Sequence, residues 1–499
     1  MAFGVWFSLG VYFLLMLAIG FYAWRKSTSS SEEYLLGGRE LGPAVTALSA
    51  GASDMSGWLL LGLPGALFIS GLHESWIGIG LWCGALINWI IVAPRLREQT
   101  ERYDNALTIP AFLSNRFPSR ALALRTVSAI IVVVFFAVYT ASGLVGGGKL
   151  FEMAFGDLFD IGLSEYQTGV WLSLIIVLIY TSVGGFLAVS LTDFVQGCIM
   201  MLALVIMPLV VLFGEGGGGF AQASETLSQI SEPEGFLTWT HGLTVVAWLS
   251  AVAWGLGYFG QPHIIVRFMA IRSIKDVPTA RNIGMSWMFV SLAGAIGVGV
   301  FGRAYAIRNG LDVQDPETIF IILANLLFNP FVTGFLYAAL LAAIMSTISS
   351  QLLVSSSSLT EDMYHLFLNK NATEKQCVRV GRISVVAVGL VAAFIARDPT
   401  SQVLELVSHA WAGFGAAFGP MIVLSLMWKR MSGAGAVAGL VAGAVTVIAW
   451  IALGWNEDFF GLGGVYEILP GFIISWAAVY FVSLATQTEG EFRPVDVAA

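Results

Sequence analysis

The stretch Ala50-Gly51-Ala52-Ser53-Asp54-Met55-Ser56-Gly57-Trp58 sets a carboxylate, two glycines and two serines inside an otherwise apolar run. An ionised carboxylate at the centre of a bilayer costs at least about 2.5–3.5 kcal/mol, so Asp54 needs a partner or water. A helix with so many small and polar residues can unwind there, provided the freed backbone lines a cavity. The alternative is a small-residue packing face with Asp54 bonded to a neighbouring helix. A second interruption, Trp254-Gly255-Leu256-Gly257-Tyr258-Phe259-Gly260-Gln261-Pro262, reads as an unwound half-helix or as a plain proline kink. A third run, Ala342-Ala343-Ile344-Met345-Ser346-Thr347-Ile348-Ser349-Ser350, offers adjacent hydroxyls. With carbonyls released from Ala52 and Met55, Ser346 and Thr347 make an oxygen shell suited to a small hard cation. Ser and Thr also bond back to their own helix or to a neighbour, which is the plainer reading of that run.

The chain around these motifs has the composition of a membrane protein. Of its 499 residues, 57% are hydrophobic and 11% are charged, against about 45–50% and about 25% in a soluble domain. That argues against a soluble enzyme, and a net charge of −8 argues against a nucleic-acid binder. Three scattered cysteines are too few for a disulfide framework or a zinc site. Thirteen segments reach the roughly 20 apolar residues that a helical span needs: 4–24, 41–70, 74–94, 120–153, 165–183, 190–213, 239–268, 283–305, 330–358, 378–397, 403–428, 432–453 and 466–487. Placing residue 1 outside leaves only Lys149, Arg303, Arg308 and Arg397 of the 24 Lys+Arg on outside segments. The positive-inside rule thus predicts an outside N-terminus and, with an odd span count, an inside C-terminus. The two Gly-rich interruptions open two blocks of five spans, 41–213 and 239–428. Five is odd, so the second block lies inverted, and interrupted spans at matching places in inverted halves point to the central site of a secondary transporter. The loops 214–238 and 309–319 are expected outside, and the 12 residues after the last span are expected to carry no further domain.

Gly37-Gly38-Arg39, the Gly51–Trp58 run, Trp254 to His263 and the Ala342–Thr347 run resemble the sodium:solute symporter family, from about residue 5 to about residue 485. The resemblance implies an all-α, LeuT-like fold: a 5+5 inverted repeat with one helix added before it and two, 432–487, after it. It implies Na⁺ as the coupling ion, held by backbone oxygens of Ala52, Met55 and Ala343 and the hydroxyls of Ser346 and Thr347. Asp54 matches an aspartate needed for sodium-dependent binding, acting by shaping the unwound segment rather than as a ligand. Ser56, Gly57 and Trp58 match the solute side of the same break, and Tyr139, Trp254, Tyr258 and Pro262 match the pocket lining. Arg39 and Asp193 match cytoplasmic-side positions associated with coupling and sodium release. The solute implied is L-proline, taken up with Na⁺ in a 1:1 ratio by alternating access, in the cell membrane of a bacterium. No nucleic acid and no obligate protein partner are expected.

Proline's chemistry agrees with these positions. With no cationic side chain expected at mid-membrane depth in the core, its carboxylate needs backbone N–H groups at a helix break. Flat walls from Tyr139, Trp254 and Tyr258 suit its ring and attract its ammonium. Two alternatives stay open: a proton carried by Asp54, and another small amino acid or a monocarboxylate. An enzyme is not indicated, because the five histidines show no metal-ligand spacing and no nucleophile–base pair stands out. His263 is expected to fix local structure, and Glu405 and His409, one turn apart, to form a local pair.

Overall fold

The computed structural model describes residues 3–26, 31–155 and 162–486. Arg493, one of the basic residues in the topology argument, and residue 487, the end of the last expected span, lie outside the described residues. The described chain is helical, with a single parallel bridge pairing Leu41 and Ile271.

The helices are α1 (Phe3–Lys26), α2 (Ser31–Leu36), α3 (Pro43–Asp54), α4 (Ser56–Leu60), α5 (Gly62–Ser70), α6 (Ser75–Arg102), α7 (Ile109–Arg116), α8 (Ala121–Phe155), α9 (Glu165–Phe213) and α10 (Gly219–Ser228). They continue with α11 (Val245–Val252), α12 (Pro262–Ala270), α13 (Val277–Arg308), α14 (Ile319–Leu327), α15 (Pro330–Ser357), α16 (Glu374–Ile395), α17 (Val403–Met427), α18 (Gly433–Ala452) and α19 (Ile468–Ala485). A 3₁₀ segment, Ala253–Gly260, joins α11 to α12. Local chemistry sets several starts. Asn329 caps α15 by accepting from the N–H groups of Phe331 and Val332, with Pro330 in the first turn. Thr373 and Gln376 form a capping box on α16.

Among the described residues, ten helices are long and apolar enough to cross a membrane, and eleven if the bent pair α3 with α4–α5 counts as one span. Each of the thirteen expected segments falls on helix. The two that miss the length test are 165–183, where the apolar helix is the shorter Glu165–Ile179, and 239–268, broken after Gly260. The segments 165–183 and 190–213 have no loop between them: helix α9 runs through both and is interrupted at Gly185 (φ 60°, ψ −168°). The loop expected at 214–238 contains α10, and α14 follows the loop at 309–319; both helices were unforeseen. Helix α1 shows how the protein meets lipid: Val5, Leu9, Tyr12 and Met16 form a buried stripe at helical spacing, while Phe3, Phe7, Leu14 and Leu17 are exposed.

The second interruption packs against α6 with almost no side chain between. A Cβ at Gly84 would lie 2.1 Å from the Gly255 carbonyl oxygen, and a Cβ at Gly255 would lie 2.2 Å from that of Gly80. Only glycine allows so close a backbone approach. Gly84→Ala should therefore cost at least the ~1–3 kcal/mol of an overpacked core and lower the melting temperature of the detergent-purified protein. Gly10→Ala, whose Cβ meets nothing within 4 Å, should leave it unchanged; equal melting of all three proteins would contradict the packing.

Candidate ion and solute site

The first break falls at Met55, where α3 ends and α4 begins with a bend of 77° between Pro43–Asp54 and Ser56–Ser70. The bend separates the Ala52 carbonyl from Ser56, which would be its donor in an unbroken helix. That carbonyl instead accepts from Ser346 Oγ at 2.8 Å and from Thr347 Oγ1 at 3.4 Å. Ser346 Oγ also lies 3.2 Å from the Ala343 carbonyl oxygen. Four of the five expected oxygen donors are thus drawn together from α3 and α15, with Met55 at the bend itself. Hard cations take oxygens at about 2.3–2.6 Å, so neighbouring ligands of one ion stand roughly 3.3–3.7 Å apart. The Thr347 spacing of 3.4 Å falls in that range, and the 2.8 and 3.2 Å spacings at Ser346 Oγ are tighter.

Asp54 does not join that set. Its carboxylate accepts a short hydrogen bond from the Tyr258 hydroxyl, and its backbone carbonyl accepts from Tyr139 Oη at 3.3 Å. Asp54 therefore ties the first break to the 3₁₀ segment of the second and to α8. The Tyr258 carbonyl in turn accepts from Asn88 Nδ2 at 3.0 Å. On the far side of the bend, the Trp58 N–H donates to Ser56 Oγ at 3.3 Å, and a Cβ added at Gly57 would meet Ile344 at 3.4 Å, an ordinary contact. The Trp58 and Trp254 rings lie 6.2 Å apart at 36°, and Tyr139 meets His263 edge-on at 5.6 Å. A cavity of about 780 Å³ reaches Trp254 from the side that the basic-residue bias assigns to the outside, between α5, α11 and α17.

The remaining expected residues lie toward the other side. Pro262 opens α12 and lines a smaller cavity with Phe186, Val266 and Ser357, away from the Trp58–Trp254 pair. Asp193 is fully buried and accepts from Ser49 Oγ at 2.8 Å and from Arg267 at 3.1 Å. Arg267 also donates to Ser49, Ser350 and the His263 carbonyl, so this ion pair joins α3, α9, α12 and α15. Arg39 follows Gly37 and Gly38 in three successive left-handed residues (φ 60°, 66° and 53°), a turn that glycine makes without strain. Its guanidinium donates to Asn105, Thr100, Ala106 and Met269. Burial pushes it down to about 10, so it stays charged at neutral pH. Beside it, the Leu41 N–H donates to Ala270 and the Arg272 N–H to Leu41, which straps the ends of the two broken helices together.

Several site residues escaped the sequence reading. Trp411 donates from Nε1 to the Trp254 carbonyl at 2.7 Å and meets Tyr258 edge-on at 5.1 Å. Gln261 donates to the Trp411 carbonyl at 3.0 Å. Arg267 was counted as a basic flank, yet it is 1% exposed and fully engaged in the ion pair. His409 lies 3.9 Å from Glu405, but its closer partner is Glu467 at 2.7 Å. The glycines around Trp254 were a signal for close packing, whereas partners 150 or more residues away leave no local mark.

The sequence signature of the sodium:solute symporter family matches residues 34–443. This chain belongs to that family. Among relatives, the osmoregulated proline transporter OpuE of Bacillus subtilis is 51% identical over 96% of this chain and 94% of its own. The high-affinity proline transporter PutP of the same organism is 52% identical over 95% and 97%. The sodium/proline symporter of Salmonella typhimurium is 50% identical over 95% and 91%. Among solved structures, a substrate-bound, outward-open Na⁺-coupled sialic acid symporter aligns with a TM-score of 0.79 at 18% identity, over 98% of this chain and all of that one. Mhp1, a nucleobase-cation-symport-1 family transporter in a closed conformation, aligns at 0.54 and 13% identity, over 91% and 96%. This sodium:solute symporter family member is thus a multi-pass helical membrane protein, similar in fold to LeuT-fold transporters. It is a transporter, not an enzyme.

If the Asp54–Tyr258 bond joins the two breaks, Tyr258→Phe leaves a buried carboxylate oxygen without its donor, at a cost of about 1–3 kcal/mol. Adding Asp54→Asn should then destabilise by less than the sum of the single effects, with a coupling of at least about 0.5 kcal/mol. Additive losses in thermal or denaturant unfolding of the purified variants would show that the two side chains act separately.

Proposed function

We propose that this chain takes up L-proline together with Na⁺, in a 1:1 ratio and by alternating access, across the plasma membrane of a bacterium. The topology we propose is thirteen spans in a 1+5+5+2 order, with the N-terminus outside and the C-terminus inside. The repeats are 41–213 and, inverted, 239–428, and 432–487 adds the last two spans. One observation carries the reading. The single bend at Met55 turns a free carbonyl toward Ser346 and Thr347 on one side and carries Trp58 against Trp254 on the other. Relatives about half identical over nearly the whole chain are named as proline transporters, which supports the choice of solute.

The energetics follow from charge. Na⁺ is cargo and driving ion rather than a resident cofactor, and each ion moving down the potential releases about 2.3 kcal/mol per 100 mV. Proline as a zwitterion adds no net charge, so its accumulation draws on that release in full. Ion binding by Ala52, Met55, Ala343, Ser346 and Thr347 orders the bend, and an ordered bend sets Ser56, Gly57 and Trp58 for the solute. By linkage, each ligand then raises the affinity of the other by the same factor. Tyr139, Trp254 and Tyr258 supply the apolar walls for the ring. The buried cations nearest the core are already engaged: Lys149 with Asp315 and Glu317, and Arg267 with Asp193. Neither is spare for the carboxylate, which leaves backbone donors at the bend. Arg39 and Asp193, with Arg267, would hold the inner side closed until ion and solute are both bound.

Proteoliposomes holding the purified protein should accumulate labelled proline with an inward Na⁺ gradient and not with matched K⁺. No proline uptake by folded protein would reopen the solute, and uptake driven by a pH gradient alone would make H⁺ the coupling ion. In the same assay, Thr347→Ala should raise the Na⁺ concentration for half-maximal uptake by tenfold or more, about 1.4 kcal/mol, at an unchanged amount of protein. Sodium dependence like that of the parent would remove Thr347 from the ion site.

A further inference from the structure

We propose that Tyr466 is a positioning residue that roofs the solute pocket on its outer side, and that the Glu467–His409 pair holds it there. The proposal rests on the reading above in one respect, that Trp254 lines the pocket. Tyr466 and Glu467 lie in the segment between α18 and α19, beyond residue 443 where the family signature ends. Nothing in the core motifs points to them. The structure nevertheless brings Tyr466 onto the second break: its ring stacks on Trp254, with centroids 5.2 Å apart and planes at 28°. Trp58 approaches the same indole, so Trp254 stands between Tyr466 and Trp58.

The segment that delivers Tyr466 is itself well tied. Trp450 stacks on Phe459 at 4.9 Å and donates to the Val465 carbonyl at 2.9 Å. The Val465 N–H donates to the Trp455 carbonyl at 3.2 Å. From there the Tyr466 N–H donates to Ser250 Oγ on α11 at 3.1 Å, and its hydroxyl donates to the Ser408 carbonyl on α17 at 2.9 Å. The next residue, Glu467, is 1% exposed and bonds His409 on α17 at 2.7 Å. A loop outside the core is therefore fastened to two of the three helices that flank the 780 Å³ cavity, α11 and α17, and Trp254, Tyr466, His409 and Glu467 all line that cavity.

This arrangement restricts Trp254. Its carbonyl is held by Trp411, and Tyr466 blocks the indole from swinging outward into the cavity. With the indole held, the wall it forms is fixed, and a compact five-membered ring is accepted over a larger one. Removing the Tyr466 ring frees the indole, so affinity for proline falls and tolerance of a bulkier ring rises. The Na⁺ donors lie on α3 and α15, away from this contact, and keep their affinity.

The test is uptake by the full-length protein in proteoliposomes, with pipecolic acid, the six-membered homologue of proline, as competitor. Trp254→Ala is measured in parallel. Tyr466→Ala should raise the proline concentration for half-maximal uptake about two- to tenfold, the range expected for losing one aromatic pair. It should also strengthen inhibition by pipecolic acid and leave half-maximal Na⁺ within about twofold. Tyr466→Phe keeps the stacked ring and should restore proline affinity, while Glu467→Ala should shift it in the same direction as Tyr466→Ala. If Tyr466→Ala does not reach the membrane, Tyr466→Leu, which keeps bulk but not a flat face, is judged by the same criteria. Unchanged proline and pipecolate behaviour in the Tyr466 variants, with Trp254→Ala alone weakened for proline, overturns the roof and leaves the pocket standing. Unchanged proline affinity in Trp254→Ala as well overturns the pocket and the roof together. Equal losses for proline and Na⁺ without rescue by Tyr466→Phe would assign Tyr466 a structural role and overturn the proposal.

Discussion

Inside a bilayer, a backbone carbonyl that leaves its helix has only protein, ion or solute to bond. The bend at Met55 creates that condition at Ala52, and much of the centre of this molecule is arranged around meeting it. Ser346 and Thr347 reach across from α15 to the freed oxygen. Asp54, two residues further on, is taken up by Tyr258 and, through its carbonyl, by Tyr139. Hydroxyl donors suit such a place because they rotate: the same oxygen that donates to a carbonyl in one state can face a cation in another.

The two breaks depend on each other for the same reason. The 3₁₀ segment Ala253–Gly260 is held from α3 by Asp54, from α6 by Asn88 and from α17 by Trp411. At the opposite end of these elements, the Leu41–Ile271 bridge and the hydrogen bonds of Arg39 bind the start of α3 and the end of α12 to one another. The buried Arg267–Asp193 pair adds a polar link among four helices. Pairs of this kind are costly to strip of one partner, by about 3–5 kcal/mol, so they favour discrete arrangements over gradual deformation.

Much of this was legible in the primary structure, for identifiable reasons. Long apolar runs and a strong basic-residue bias expose the membrane character and the helical segments directly. Asp54 and the glycines of 254–262 contradict their apolar surroundings, and that contradiction marked both breaks. The hydroxyl pair at 346 and 347 was legible as chemistry, though only the fold shows that it faces Ala52. What could not be read was the partner of each group. Tyr258 lies 204 residues from Asp54, Arg267 lies 74 residues from Asp193, and Trp411 lies 157 residues from Trp254. Pro262 was placed in the pocket by resemblance; in the structure it opens α12 and lines a smaller cavity with Phe186 and Val266. The short outer helices α10 and α14 were missed because segments of 10 and 9 residues fall under any span-length pattern. The passage of helix through 165–213 was missed because Gly185 turns the chain without the polar loop that usually announces a turn.

The contact between α6 and the second break has a mechanical character of its own. Gly80 and Gly84 meet Gly255 backbone to backbone, and close approaches of the same kind recur where Gly294 meets Leu204 and Gly443 meets Ala416, whereas contacts such as Phe136 against Phe414 interdigitate side chains. Interlocked side chains must disengage before one helix can shift on another, and that is why packed interfaces tend to jump between discrete positions. Two smooth backbone surfaces have no teeth to clear. At Gly80, Gly84 and Gly255 the half-helix therefore has no side chains to unlock, and what ties it to α6 beside them is the hydrogen bond from Asn88 to the Tyr258 carbonyl.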